Sequence, residues 1–325
     1  MKNIIKITMI LIILLSLVLL NRKPTKNNKE ITVAEVTHSI FYAPWYVALE
    51  NNYFDDLKVN VVLTSGANNV VSAVLSKDVE IGLCGPEATM YIEENNNQNK
   101  IKSFASLTKK DGQFLVLRKN IKYNKLKDIE GLTILGGRTG GMPLLNFETA
   151  LKNNNIKNVN IDTTIEFANL SSAFISNIGD GVNLFEPNAT TLVKQGYGYI
   201  ATNIGAYANE VPYTTFNARI EYIEKNKDII KKFYKGIEKG LEYVHNHTSE
   251  EIANIIKNQF ANIEYEDLVI MIDNYKKYDS WYTTPEIPKE ALNNLEEMLI
   301  DNNNLKEKIP YEELVYELNW NNKFI

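Results

Sequence analysis

The sequence predicts an α/β fold of two interleaved blocks, each a mainly parallel sheet flanked by helices. Three observations carry this. From Ile31 onward, short β-branched runs alternate regularly with helical runs, the pattern of parallel strands joined by crossover helices. The alternation starts again near residue 132, and no linker rich in Gly, Ser or Pro separates the blocks. Beyond Arg219 the pattern turns helical, so the chain is expected to cross into a second lobe and return.

The elements follow in order. ITVAEVT (31–37), VNVVLTS (59–65) and EIGLCG (80–85) read as strands. Between and after them PWYVALENNYF (44–54), NNVVSAVLSKD (68–78) and PEATMYIEEN (86–95) read as helices. Two of these open on proline, which loses nothing at a first helical position. SFASLT (103–108) and QFLVLRK (113–119) are further strands. The second block holds LTIL (132–135), a helix over 143–153, IDTTIEF (161–167), a helix around Ser171–Ser176, GVNLFEP (181–187) and YGYIATN (197–203). VPYTTFNA (211–218) is extended. Helices are expected at 228–246 and near 248–260, 264–278, 288–300 and 310–318.

Composition narrows the function. The chain has 325 residues, 44% hydrophobic and 23% charged, which is ordinary globular material. A net charge of −5 argues against nucleic acid as a partner. Cys84 is the single cysteine, so neither an internal disulfide nor a cysteine-based metal site is open to one chain. His245 and His247 stand two apart in HNHTSEE and read as a solvated helix end. No Ser/His/Asp spacing and no metal cluster is evident, so no catalytic residue, metal or cofactor is expected.

The first thirty residues differ from the rest. Lys2 and Lys6 precede an apolar run, Ile7–Leu20, and a polar stretch, Asn21–Glu30, follows. This is expected to be an export segment kept as a membrane anchor, with the body outside the cytoplasmic membrane. No cysteine follows the run to take a lipid.

Candidate site residues lie in turns that follow strands, because ligands of open parallel sheets bind beyond the strands' carboxyl ends. The turns are FYAPWY (41–46), TSGANN (64–69), GPEAT (85–89), GGRTGGMP (136–143) and FEP (185–187). GGRTGGMP lacks the Lys-Ser/Thr of a phosphate-binding loop, and its glycine spacing does not fit a dinucleotide fold. It still reads as strand, turn and helix start, with amides aimed at a ligand. Phe41, Tyr42 and Trp45 suit either a stacking face or a core. Ser65 and Gly66 suit a ligand or a helix cap. Glu87 suits a ligand or the helix dipole. Arg138, Thr139 and Gly140 could clamp an anion. Glu186, between an apolar strand and Pro187, is expected in the site, and Tyr213 stands at the return crossing.

FYAPWYVALENNYF, then VNVVLTSGANNVVSAVLSKDVEIGLCGPEA, resembles the opening of the solute-binding proteins of ABC importers. The branch is the nitrate/sulfonate/taurine and thiamine-pyrimidine-precursor group, the NMT1/THI5-like family. Aromatic-x-Pro opens a helix that closes on Phe54, and LSKDVEIG (75–82) matches the family's helix end and Ile-Gly strand. GGRTGGMP, LFEP and VPYTTFNA look like one sub-branch. The resemblance runs from about Ile31 to the C-terminus. It implies a two-lobe periplasmic-binding-protein-like clamshell of type II, with lobe 1 at 31–116 and 213–325, lobe 2 at 117–212, and residues 1–30 as signal or anchor and tether. It also implies a small-molecule ligand between the lobes, and permease and ATPase subunits as partners. Related pyrimidine synthases carry a cysteine-rich motif, so that enzyme reading is disfavoured.

Two ligand classes compete. An aromatic heterocycle, such as a pyrimidine precursor of thiamine, would stack on the 41–46 aromatics and donate N–H groups to Glu87 and Glu186. A small oxyanion or sulfonate would use Ser65, Arg138, Thr139 and helix-start amides. Two carboxylates would repel an anion, so the heterocycle is the expected ligand. A sensor ectodomain is a third class.

Overall fold

The computed structural model describes residues 29–94 and 100–318. The export-segment reading therefore lies almost wholly outside the described residues. Among them, no helix is long and apolar enough to cross a membrane.

Two five-stranded sheets form the two lobes. The first contains β1 (Lys29–Glu35), β2 (Leu57–Leu63), β3 (Ile81–Cys84), β4 (Ile101–Thr108) and β10 (Thr214–Arg219), in the order β2-β1-β3-β10-β4. The second contains β5 (Phe114–Leu117), β6 (Thr133–Leu135), β7 (Asn160–Asp162), β8 (Gly181–Leu184) and β9 (Tyr199–Asn203), in the order β7-β6-β8-β5-β9. β1 pairs parallel with β2 and β3, and β6 pairs parallel with β7 and β8. The reversed strand in each sheet is the one that arrives from the other lobe. β5 runs antiparallel to β8 and β9, and β10 antiparallel to β3 and β4.

The crossings are 109–113 outward and 204–213 on return. They are tied together by N–H groups of Val211 and Tyr213 donating to the carbonyls of Lys109 and Thr108, at 3.2 and 2.9 Å. The expected lobe limit between 116 and 117 thus falls inside β5. The outward crossing precedes Phe114–Leu117, which is an inner strand of the second sheet.

Helices cover both sheets. α1 (Ala43–Glu50), α2 (Ala67–Ser76) and α3 (Glu87–Glu94) belong to the first block. α4 (Met142–Asn153), α5 (Leu170–Ile175) and α6 (Asn188–Lys194) belong to the second. α7 (Ile220–Lys225), α8 (Lys227–Asn246), α9 (Ser249–Ile256), α10 (Tyr265–Lys277), α11 (Lys289–Asp301) and α12 (Tyr311–Leu314) complete the chain. Val70, Val71 and Val74 of α2 cover one face of the first sheet, with Ala34 and Cys84. Trp45 and Phe233 cover the other. That second core continues into the other lobe through Phe114, Val182 and Leu184.

Two expected elements are shorter than their patterns. IDTTIEF ends as a strand at Asp162, whose carboxylate takes the N–H and hydroxyl of Thr164 at 2.9 and 2.7 Å. That side-chain turn competes with the ladder. The helix expected over 310–318 stops at Leu314, and Val315 bridges to Ser103 beside the first sheet.

Candidate functional site

A cleft of about 820 Å³ opens between the lobes. Its walls are segments that follow strand ends: Val36 and Thr37 after β1, Leu63–Ala67 after β2, Gly85 and Glu87 after β3. The second lobe supplies Arg138 and Gly141–Pro143 after β6, Glu166–Ala168 after β7, and Phe185 and Asn188 after β8. Tyr42, Tyr213 and Thr214 close the floor.

The glycine turn has a local explanation. Gly137 and Gly140 hold φ of 84° and 75°, a left-handed backbone that L side chains rarely adopt. The Gly140 carbonyl accepts from the Tyr91 hydroxyl of α3 at 3.0 Å, so the turn rests on the opposite lobe. Gly141 then opens α4 with no side-chain cap, and Pro143 sits in the first turn. Arg138 folds back over this start; a Cβ at Gly141 would lie 3.4 Å from its Nε. A guanidinium therefore stands beside a helix start, where N–H groups and the helix dipole favour negative charge. α2 opens at the cleft in the same manner, on Gly66 with φ of 125° and no side-chain cap.

Glu87 faces Arg138. It is buried, and its Oε2 has no hydrogen-bond partner. A Cβ at Gly85 would sit 2.0 Å from that oxygen, so only glycine leaves the carboxyl its place. Burial raises the Glu87 pKa to about 7, against the opposing pull of Arg138 and the N–H groups of Glu87, Ala88 and Met142. Tyr213 is also buried, with a hydroxyl that has no partner, and burial pushes its pKa well up. Aromatic rings form the apolar wall. Phe167 and Phe185 lie 5.9 Å apart between centroids, and Phe185 and Tyr213 lie 6.1 Å apart.

Of the candidate residues, Tyr42, Ser65, Gly66, Glu87, Arg138 and Tyr213 meet in this cleft. Ser65 is exposed, and its Oγ accepts from Asn69 at 2.7 Å. Phe41, Trp45, Thr139, Gly140 and Glu186 do not line it. Phe41 lies one layer beneath, packed on Phe185, Tyr213 and Tyr275 at 5.4, 5.6 and 5.1 Å. Trp45 points into the first lobe's core, 5.4 Å from Phe216 and 5.7 Å from both Phe54 and Phe233. Thr139 is exposed on the turn, and Gly140 is engaged by Tyr91.

Glu186 joins the lobes from below. Its carboxylate accepts from the Thr190 N–H and hydroxyl at 2.9 and 2.7 Å and from Asn274 Nδ2 at 3.1 Å. Its N–H donates to the Tyr275 hydroxyl at 2.9 Å, and its carbonyl accepts from Ser39 at 2.6 Å. Loss of one carboxylate oxygen leaves buried donors facing a donor, at about 1–3 kcal/mol. A Glu186→Gln variant is therefore expected to unfold at a lower midpoint in a thermal melt, and to bind ligand with unchanged affinity below that midpoint.

The histidines are engaged. His38 sets Nδ1 2.8 Å from Glu35 Oε1 and Nε2 2.9 Å from the Gln259 carbonyl, and the Glu35 contact leads the rise in its pKa. His245 meets the Tyr282 carbonyl, and His247 stacks on Tyr243 at 3.7 Å. Cys84 is buried, and burial pushes its thiol pKa up. Glu166, Phe167 and Asn188 were not foreseen in the cleft. The strand-end rule would have found Phe167 had β7 been ended at Asp162.

Comparison with known proteins identifies the family and the fold. The model of the family described as NMT1/THI5 like matches residues 40–251. The protein YtlA of Bacillus subtilis (strain 168), named for a binding role, is 37% identical over 291 residues, covering 88% of this chain and 87% of its own. Among solved structures, the ligand-binding component of an ABC-type import system from Staphylococcus aureus is similar at TM-score 0.70 and 13% identity, over 89% of this chain and 97% of that one. The alkanesulfonate-binding protein SsuA of Xanthomonas axonopodis pv. citri, solved with MOPS, is similar at TM-score 0.68 and 10% identity, over 89% and 98%. At such identities these two structures speak for the fold, a two-lobe type II clamshell. The chain belongs to the NMT1/THI5-like family.

Proposed function

We propose that the cleft captures a small organic anion of the sulfonate or oxyanion class and presents it to the permease and ATPase of an importer. The carrying observation is Arg138 folded back over Gly141 onto the uncapped start of α4. Arg138 is the cation among the lining residues. The anionic group would sit against this guanidinium and the helix-start amides, and the body against Tyr42, Phe167, Phe185 and Tyr213.

The objection from two carboxylates loses its force. Glu186 lies outside the cleft, and Glu87, with a pKa of about 7, is largely neutral in mildly acidic solution. Glu166 lines the cleft but is exposed to solvent. The shared fold with an alkanesulfonate-binding protein supports the same class.

A neutral heterocycle is the second reading. It is favoured by Glu87 Oε2 and the Tyr213 hydroxyl, two buried polar atoms without partners on lining residues, which would suit ring N–H groups. Thermal unfolding against a panel separates the two. Benzenesulfonate, butanesulfonate, sulfate and nitrate would be compared with pyrimidines and thiamine. A ligand at a hundred times its Kd adds about 2.7 kcal/mol, and a raised midpoint with sulfonates is expected. A rise with pyrimidines alone would transfer the site to the heterocycle.

A further inference from the structure

Glu87 holds an unusual position for a residue of an anion site. Its carboxyl takes the N–H of Met142 at the start of α4 on the opposite lobe, and it feels the charge of Arg138, so it occupies the helix start that an incoming anion would use. Its Oε2 has no partner and lies close to Gly85, which lines the cleft together with Glu87. We infer that Glu87 is the chain's own anion in this seat, and that an anionic ligand enters only as Glu87 takes up a proton. The inference rests on the anion reading of the cleft.

The proton comes from solvent and goes to Oε2. The carboxyl then turns from a competing acceptor into a donor, able to give its O–H to the ligand's anionic oxygen. Two negative charges at hydrogen-bond range in a buried site cannot both persist, so the stronger acid stays ionised and the carboxyl protonates. A sulfonate stays ionised throughout the accessible pH range.

The groups facing Glu87 do not blur this. Arg138 on the glycine turn is the facing cation. Tyr42, Tyr91, Tyr213 and Cys84 face it from the 3₁₀ turn at Ile40–Tyr42, from α3, from the approach to β10 and from β3. All four are pushed upward by burial and stay neutral. At the far end of α3, Glu93 pairs with Lys100, and Glu94 accepts from the Lys306 N–H. His38, whose pKa the Glu35 contact raises, is bound to Glu35 and Gln259. It is retained in the control variant, so its contribution cancels.

The test is calorimetric titration of the full chain with benzenesulfonate, butanesulfonate, sulfate and nitrate at pH 6 and pH 8. It is run in two buffers of different ionisation enthalpy, on the wild type and on Glu87→Gln. With a Glu87 pKa of about 7, one-proton linkage predicts affinity about ten-fold weaker at pH 8, with uptake approaching one proton. Glu87→Gln keeps a donor without the charge, so it is expected to lose the pH dependence and to bind more tightly than wild type at pH 8. Wild-type affinity flat with pH and no proton uptake would overturn the inference while leaving the anion site standing. Loss of affinity in Glu87→Gln at both pH values would also overturn it. No anion bound by either protein would overturn both inference and reading. Should the variant fail to fold, the wild-type proton count alone decides.

Discussion

An Arg138→Gln variant is expected to lose about 10–100-fold in anion affinity while its unfolding midpoint barely moves. Hydrogen bonds to charged groups are worth about 1.5–3 kcal/mol each, and glutamine cannot reproduce the guanidinium's charge or its paired donors. Stability is spared because Arg138 lies on a turn at the cleft and is only half-buried. Arg138 holds down the pKa of Glu87 and of Tyr91; Glu87 can relax by taking a proton, and Tyr91 stays neutral. Calorimetry with benzenesulfonate and a melting curve read both halves. Equal affinity in variant and wild type would remove Arg138 from the site. The variant is not expected to discriminate against neutral ligands.

Trp45→Ala is expected to show the opposite split: a loss of about 3–5 kcal/mol of stability, with ligand affinity intact below the midpoint. This is the usual cost of deleting a large aromatic from a packed core, part transfer and part cavity. Trp45 is fully buried, and three phenylalanine rings pack around it: Phe233 of α8, Phe216 of β10 and Phe54 of the turn between α1 and β2. A denaturant melt followed by Trp or far-UV signals measures the loss. A variant that melts like wild type but no longer binds ligand would return Trp45 to the cleft.

Much of this was legible in the sequence, for identifiable reasons. Parallel order follows from local pattern, so the β-branched runs before 37, 65 and 85 and the prolines opening helices fixed the first sheet's strands within a few residues. GGRTGGMP revealed a helix start because glycine and proline punctuate locally. What failed depended on distant partners. Trp45 and Phe41 stand four apart on one side of a helical turn, and nothing local says whether that side meets a ligand or Phe233, almost two hundred positions away. Glu186 looked like a ligand carboxylate because its partners, Asn274 and Tyr275, are 88 and 89 positions downstream. Phe167 was hidden because IEF continues an apolar pattern, while the side-chain turn at Asp162 ends the strand. The lobe limit slipped because a strand entering a sheet from the other lobe reads locally like any other strand.

The most direct test of the anion-binding cleft is calorimetric titration of the wild-type full chain at pH 6 with butanesulfonate or benzenesulfonate, repeated with a saturating pyrimidine present. The account predicts one site per chain for the sulfonate, with an affinity that the pyrimidine does not diminish. Heat from the pyrimidine alone, with the sulfonates silent, would contradict it and make Glu87 and Tyr213 the polar centre of a heterocycle site.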